Sequence, residues 1–234
     1  ICMRPIVKKL LPAAPLVAAA VALISGSRTA VAEGDQAERN ERCATRLSAA
    51  FLGEAAQPAQ FTSTSPQAAI GEMMKDTKFI ERFSRFVNSK WNDTPGARPD
   101  EDASYFMVKH VLEGGMPWSE VFLGKFKVET QNPDQRPGND NPVVVKPDPE
   151  GLGFFRSPRW LIRYAGNEPD GMLIVKGNRI MMATIGLELV ASTNAPDADV
   201  SATGRQAGVC RGCHYDNWYA LDKVAAILGT RVGE

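Results

Sequence analysis

Cys210-Arg211-Gly212-Cys213-His214 stands far along this chain, and Trp218, Leu221, Ala225 and Leu228 follow it at three- and four-residue steps. Such steps lay side chains along one face of an α-helix. The spacing therefore predicts a C-terminal helix that starts at His214 and carries its apolar stripe on the side of the imidazole. Two thiols three residues apart with an imidazole next to the second bring two nucleophiles and a metal ligand into one turn. From ordinary composition such a pattern arises by chance roughly once in several hundred chains of this length.

Four chemistries compete for these side chains. A thioredoxin-like redox pair follows the first strand of a βαβ pattern, and the stretch from Tyr215 to Glu234 is too short to build that fold behind it. A zinc site could recruit Cys43 or His110, but adjacent Cys213 and His214 suit one tetrahedral ion poorly and no second CxxC occurs. A disulfide between Cys210 and Cys213 would close a very small, strained loop. The fourth chemistry is covalent haem. Cys210 and Cys213 form thioethers with the two haem vinyl groups, and His214 lies under the iron as proximal ligand. CxxCH occurs once, so one haem c per chain is expected.

The N-terminal stretch gives this reading a compartment. Arg4, Lys8 and Lys9 form a basic region, no charged residue occurs from Leu10 to Ser27, and Ala30-Val31-Ala32 is an A-x-A cleavage signal. Residues 1–32 are expected to be a signal peptide, with Glu33 first in the mature chain. The competing reading is a retained anchor, and membrane association is expected only in that case. Pro12 and Pro15 interrupt the apolar run, which is barely long enough to span a bilayer. No twin-Arg pair is present, which fits export before folding. A periplasmic or extracellular bacterial protein is expected.

Cleavage would remove four basic residues (Arg4, Lys8, Lys9 and Arg28) from 27 and no acidic ones, leaving 23 basic against 27 acidic. That balance argues against nucleic acid as a partner. Of the four cysteines, Cys2 leaves with the leader, and Cys43, Cys210 and Cys213 make an odd set with no self-contained disulfide framework. Once two thioethers form, Cys43 stands alone, either as a small buried apolar residue or as one end of an intermolecular bridge.

Along the mature chain, helical patterns alternate with Pro- and Gly-rich connections. Residues 35–52 place Cys43, Leu47, Ala50 and Phe51 at helical spacing. Ser65-Pro66 is an N-cap followed by Pro at the first helical position, and Ile70, Met73, Ile80, Phe83, Val87 and Trp91 predict one long helix behind it. Asp100 to Glu113 predicts another, with Ala103, Phe106, Met107, His110 and Val111 on its apolar side and Gly114-Gly115 closing it. Residues 117–126 predict a further turn or two. Five prolines between Gln131 and Glu150 predict a long extended loop. Ser157-Pro158 repeats the helix-start signature before Trp160, Leu161 and Tyr164, with Gly166 as the stop. Met172 to Val175 reads as a short strand, and Asn178 as the cap of a helix through about Val190. The organisation expected is a helical region over 33–130, a Pro-rich loop over 131–150 and a haem-attachment region over 151–234, with 33–234 as one compact domain.

Gly151-Leu152-Gly153-Phe154-Phe155, Arg163-Tyr164-Ala165-Gly166-Asn167, Ile185-Gly186-Leu187, the CxxCH and Ala220-Leu221-Asp222 together span roughly residues 150–229. This set is similar to C-terminal cytochrome modules of large secreted bacterial proteins, and the chain resembles single-haem c-type cytochromes. In common small cytochromes c the motif lies near the N-terminus. Here it sits at the far end, as in the four-helix-bundle cytochromes c′, although the Pro-rich middle does not resemble a bundle. The helical patterns and the Pro- and Gly-rich connections, not the resemblance, predict the fold: mainly α, an irregular helical cytochrome domain with long Pro- and Gly-rich loops and the haem on the C-terminal helix. The resemblance implies haem attachment outside the cytoplasm and one-electron transfer between redox partner proteins.

The remaining candidates surround the iron. His110 is the only other histidine of the chain and a candidate distal ligand, against its reading as a core histidine bonded to a backbone carbonyl. Met116, Met172, Met181 and Met182 are thioether alternatives that also read as core. Arg205 and Arg211 flank the motif as propionate contacts or as solvated surface residues. Trp218 reads as haem packing, as core, or as both. Two rival functions stand beside the carrier: a peroxidase-like haem enzyme with an open distal site, and a non-catalytic haem subunit of a larger complex.

Overall fold

The computed structural model describes residues 33–61, 65–165, 174–189, 197–199, 201–208, 210–216 and 220–228. The expected leader, Gly166, Met172 and Trp218 lie outside the described residues. The fold is mainly helical, with a single two-stranded sheet among the described residues.

Helix α1 (Glu33–Phe51) follows the expected apolar spacing, burying Ala44 and half-burying Cys43, Leu47 and Phe51. After the short α2 (Pro58–Phe61), the long helix expected behind Pro66 is broken into pieces. A 3₁₀ turn (Pro66–Ala69) and α3 (Ile70–Met73) are followed by a turn, and α4 (Thr77–Trp91) starts afresh. Asp76 causes the restart: its backbone is extended, and its carboxylate accepts a hydrogen bond from the Lys78 N–H at 2.8 Å. A helix start leaves four donors without partners, and a capping carboxylate satisfies one of them.

Helix α5 (Ala103–Glu113) packs along α4, and Gly114 ends it as the sequence predicts, with its N–H donating to the His110 carbonyl. The loop joining the two helices is tied by Asp102, whose carboxylate accepts from Asn88 Nδ2, Asn92 Nδ2 and the Gly96 N–H. Helix α6 (Glu120–Leu123) is the expected extra turn, but it stops before β1 (Phe126–Thr130). Strand β1 pairs antiparallel with β2 (Val143–Pro147), in register from Phe126 opposite Pro147 to Thr130 opposite Val143. The extended loop predicted over 131–150 is corrected to that extent. Three consecutive valines favour a strand, and Pro147 sits at its end, where a missing N–H costs no ladder bond. The rest of the loop is gathered by the buried Asn141, whose amide donates to the carbonyls of Asn132, Gln135 and Arg136 while its Oδ1 accepts from the Asn132 N–H.

A 3₁₀ turn (Gly153–Arg156) leads into α7 (Pro158–Arg163), which starts at Pro158 as predicted. Ser157 takes a different role from the expected cap: its buried hydroxyl accepts from the Val128 N–H of β1 at 3.0 Å. The core gathers Val87, Met107, Val108, Val111, Val121, Val128, Phe154, Phe155, Trp160, Leu161 and Tyr164, with Leu228 reaching it from the C-terminal region. Each large side chain buried there contributes about 1.5–3 kcal/mol.

Helix α8 (Ile174–Ile185) corrects two expectations. Ile174 and Val175 are helical, not a strand, and Asn178 lies inside the helix, which ends at Ile185 before Gly186 at φ 68°. The short helices α9 (Ala202–Arg205), α10 (Arg211–His214) and α11 (Leu221–Ala226) complete the described chain. The predicted continuous helix from His214 is thus two helices. Tyr215 leaves helical geometry, and Ala220 enters α11 at φ 21°. The stripe itself holds for Leu221, Ala225 and Leu228, all buried. Helix α11 packs against α8, where Gly177 lets the Leu221 carbonyl approach: a Cβ there would stand 2.7 Å from that oxygen.

Candidate functional site

Helix α10 is a single turn and carries the whole motif. Cys210 sits at its N-terminal boundary, and the N–H groups of Cys213 and His214 both donate to the Cys210 carbonyl at 3.2 Å. Residues three apart on such a turn lie on one face of it. Cys210 is half-buried and Cys213 exposed, and no disulfide joins them to each other or to the half-buried Cys43 of α1. Among the described residues no group of three His, Cys, Asp or Glu side chains could hold a metal ion.

His214 is held by a partner from another helix. Its Nδ1 lies 2.6 Å from Asp222 Oδ2, and the other Asp222 oxygen accepts from Arg205 Nε at 3.0 Å and Nη2 at 2.8 Å. Arg205 and Asp222 side chains are each only 11% exposed, and His214 is 18% exposed. Three short helices, α9, α10 and α11, therefore converge on one carboxylate. Sequence reading found Arg205 and His214 but gave Asp222 no role, because residues eight apart across a helix break carry no spacing signal.

The other candidates fall as follows. Arg205, expected at a propionate, is engaged by Asp222, and Arg211 Nε donates to Asp216 Oδ2 at 2.9 Å. His110 lies on α5 with its ring edge-on to Phe126 of β1, centroids 4.9 Å apart. Its Nε2 is buried without a hydrogen-bond partner among the described residues, and no described interaction joins it to His214. Met181 is buried on α8, Met182 places its sulfur 3.9 Å from Arg179 Nη1, and Met116 packs over Gly114.

The donor set fits a c-type haem. The contact to Asp222 occupies Nδ1, so Nε2 is the ring nitrogen that would face an iron, and neither motif cysteine is spent in a disulfide. Compared with family models, curated proteins and solved structures, the chain matches none. Among the described residues no helix is long and apolar enough to cross a membrane.

Proposed function

We propose that this protein is an exported c-type cytochrome that carries one covalent haem and passes single electrons between redox partner proteins. The observation that carries the reading is the CxxCH turn with His214 Nδ1 already taken by a carboxylate. In this reading Cys210 and Cys213 tether the haem and His214 ligates it through Nε2. Haem iron, when bound, supplies a reversible one-electron couple whose potential is set by its axial ligands and by burial. The chain's own residues orient the imidazole, and they make or break no bond in a substrate. His110 is proposed as the distal ligand, on the ground that it is the one further imidazole of the chain and has a buried Nε2 without a described partner.

Acid-acetone extraction followed by a pyridine haemochrome assay tests the function. Haem should stay with the polypeptide, and Cys210→Ser together with Cys213→Ser should abolish attachment while Cys43→Ser leaves it intact. Complete extraction from the wild type would end the cytochrome reading. On the same material, His110→Ala should open a position that binds carbon monoxide or cyanide. An unchanged spectrum there would reject His110 and turn the search to Met116, Met172, Met181 and Met182. Rapid carbon monoxide binding and peroxide turnover by the wild type would replace the carrier with the enzyme reading.

A further inference from the structure

We infer that Asp222 and Arg205 form a charge-compensated positioning pair that orients His214 and sets the reduction potential of the iron it ligates. This rests on the haem reading above. The pair is a built feature: each side chain is about nine-tenths buried, and each comes from a different helix. Asp222 is fixed from behind, since it follows the buried Leu221, whose carbonyl is seated against Gly177 of α8. Its two oxygens divide their work, Oδ2 to His214 Nδ1 and Oδ1 to Arg205, with the Tyr215 hydroxyl at 3.5 Å from Oδ1.

A carboxylate on the far nitrogen of a metal-ligating imidazole fixes the ring plane and the tautomer and enriches the ring in electron density toward the metal. Negative charge at that distance favours the more positive ferric state. Arg205 places a guanidinium on the same carboxylate and offsets part of that charge. The two residues therefore act on the potential with opposite signs. A pair whose role was structural alone would move it in one direction, or not at all, when either member was removed.

The experiment is spectroelectrochemistry of the full haem-loaded chain, with covalent haem assayed first in every variant. Asp222→Asn keeps the shape and removes the anion. It should raise the potential, with about a tenfold shift of the ferric–ferrous equilibrium toward ferrous, which is about 59 mV for a one-electron couple. Asp222→Glu should return it toward wild type. Arg205→Gln should lower the potential, and it decides the matter alone if Asp222→Asn fails to fold or to retain haem. Unchanged potentials, or shifts of the same sign in Asp222→Asn and Arg205→Gln, overturn the inference while leaving the cytochrome intact. A wild type without covalent haem overturns the parent reading, and the inference falls with it.

Discussion

Glu81 on α4 accepts hydrogen bonds from Tyr105 Oη at 2.7 Å, Lys109 Nζ at 3.1 Å and Arg85 Nε at 2.6 Å. Burial alone would push its carboxyl up. The bonds from Tyr105, Lys109 and Arg85 outweigh that and hold it below its ordinary 4.5. A group lowered by folding stabilises the native state above its unfolded value, and the contribution is lost as pH falls through the folded value, because the unfolded chain then binds the extra proton first. Glu81→Gln should therefore be less stable than wild type at neutral pH, with the difference shrinking once pH drops below 4.5. Urea denaturation at several pH values reads this, and a gap that stays constant into acid would contradict it. At this scale the sequence displayed the motif residues but not what they hold. Ser157 and Asp222 act through contacts whose partners only the folded chain defines, and a capping pattern at Ser157-Pro158 gave no hint that its hydroxyl serves Val128.

Among the elements, the turn at Gly153 joins α6 to the core and leaves no room for a side chain. Gly153 sits at φ 52°, and a Cβ would fall 2.0 Å from the Val121 carbonyl oxygen, which is backbone and cannot swing away. Gly153→Ala should destabilise the protein by about 1–3 kcal/mol from the backbone conformation alone, before the clash is counted. Thermal unfolding measures it, and a midpoint equal to wild type would show that the turn is not under this constraint. Periodicity located α1 and α5, which bury a stripe with a period near 3.6, and the Ser157-Pro158 signature located α7. It merged the pieces between Pro66 and Trp91, and those from His214 to Leu228, because the apolar spacing continues across both breaks. Hydrophobic period reports which side faces the core, and it is silent when a cap restarts the helix on the same side. Strand β2 was hidden by Pro147 at its end and Pro142 just before it, which count against a central strand and are harmless at the ends of a pair with open edges.

Over the whole molecule, one aromatic core built from residues 91–164 joins the middle of the described chain to its C-terminal helices. Trp91, Phe122, Phe154, Phe155, Trp160 and Tyr164 pack ring against ring, mostly tilted or edge-on, with centroids from 4.3 to 6.2 Å apart. Arg179 of α8 lies over the Tyr164 ring at 4.9 Å. Helix α8 thus connects that core to α11, and α11 brings Asp222 to His214. The mainly helical class was legible from composition and period. The arrangement of α8, α10 and α11 was not, since it depends on the approach that Gly177 permits. The proposed cytochrome requires haem bonded to this chain at Cys210 and Cys213. Proteolysis of protein exported from a host that matures c-type cytochromes, followed by mass spectrometry of the haem-absorbing fraction, tests it most directly. A single haem-bearing peptide that contains residues 210–214, with its mass increased by one haem, is the expected result, whereas recovery of that peptide unmodified, with haem absent or attached elsewhere, would overturn the proposal.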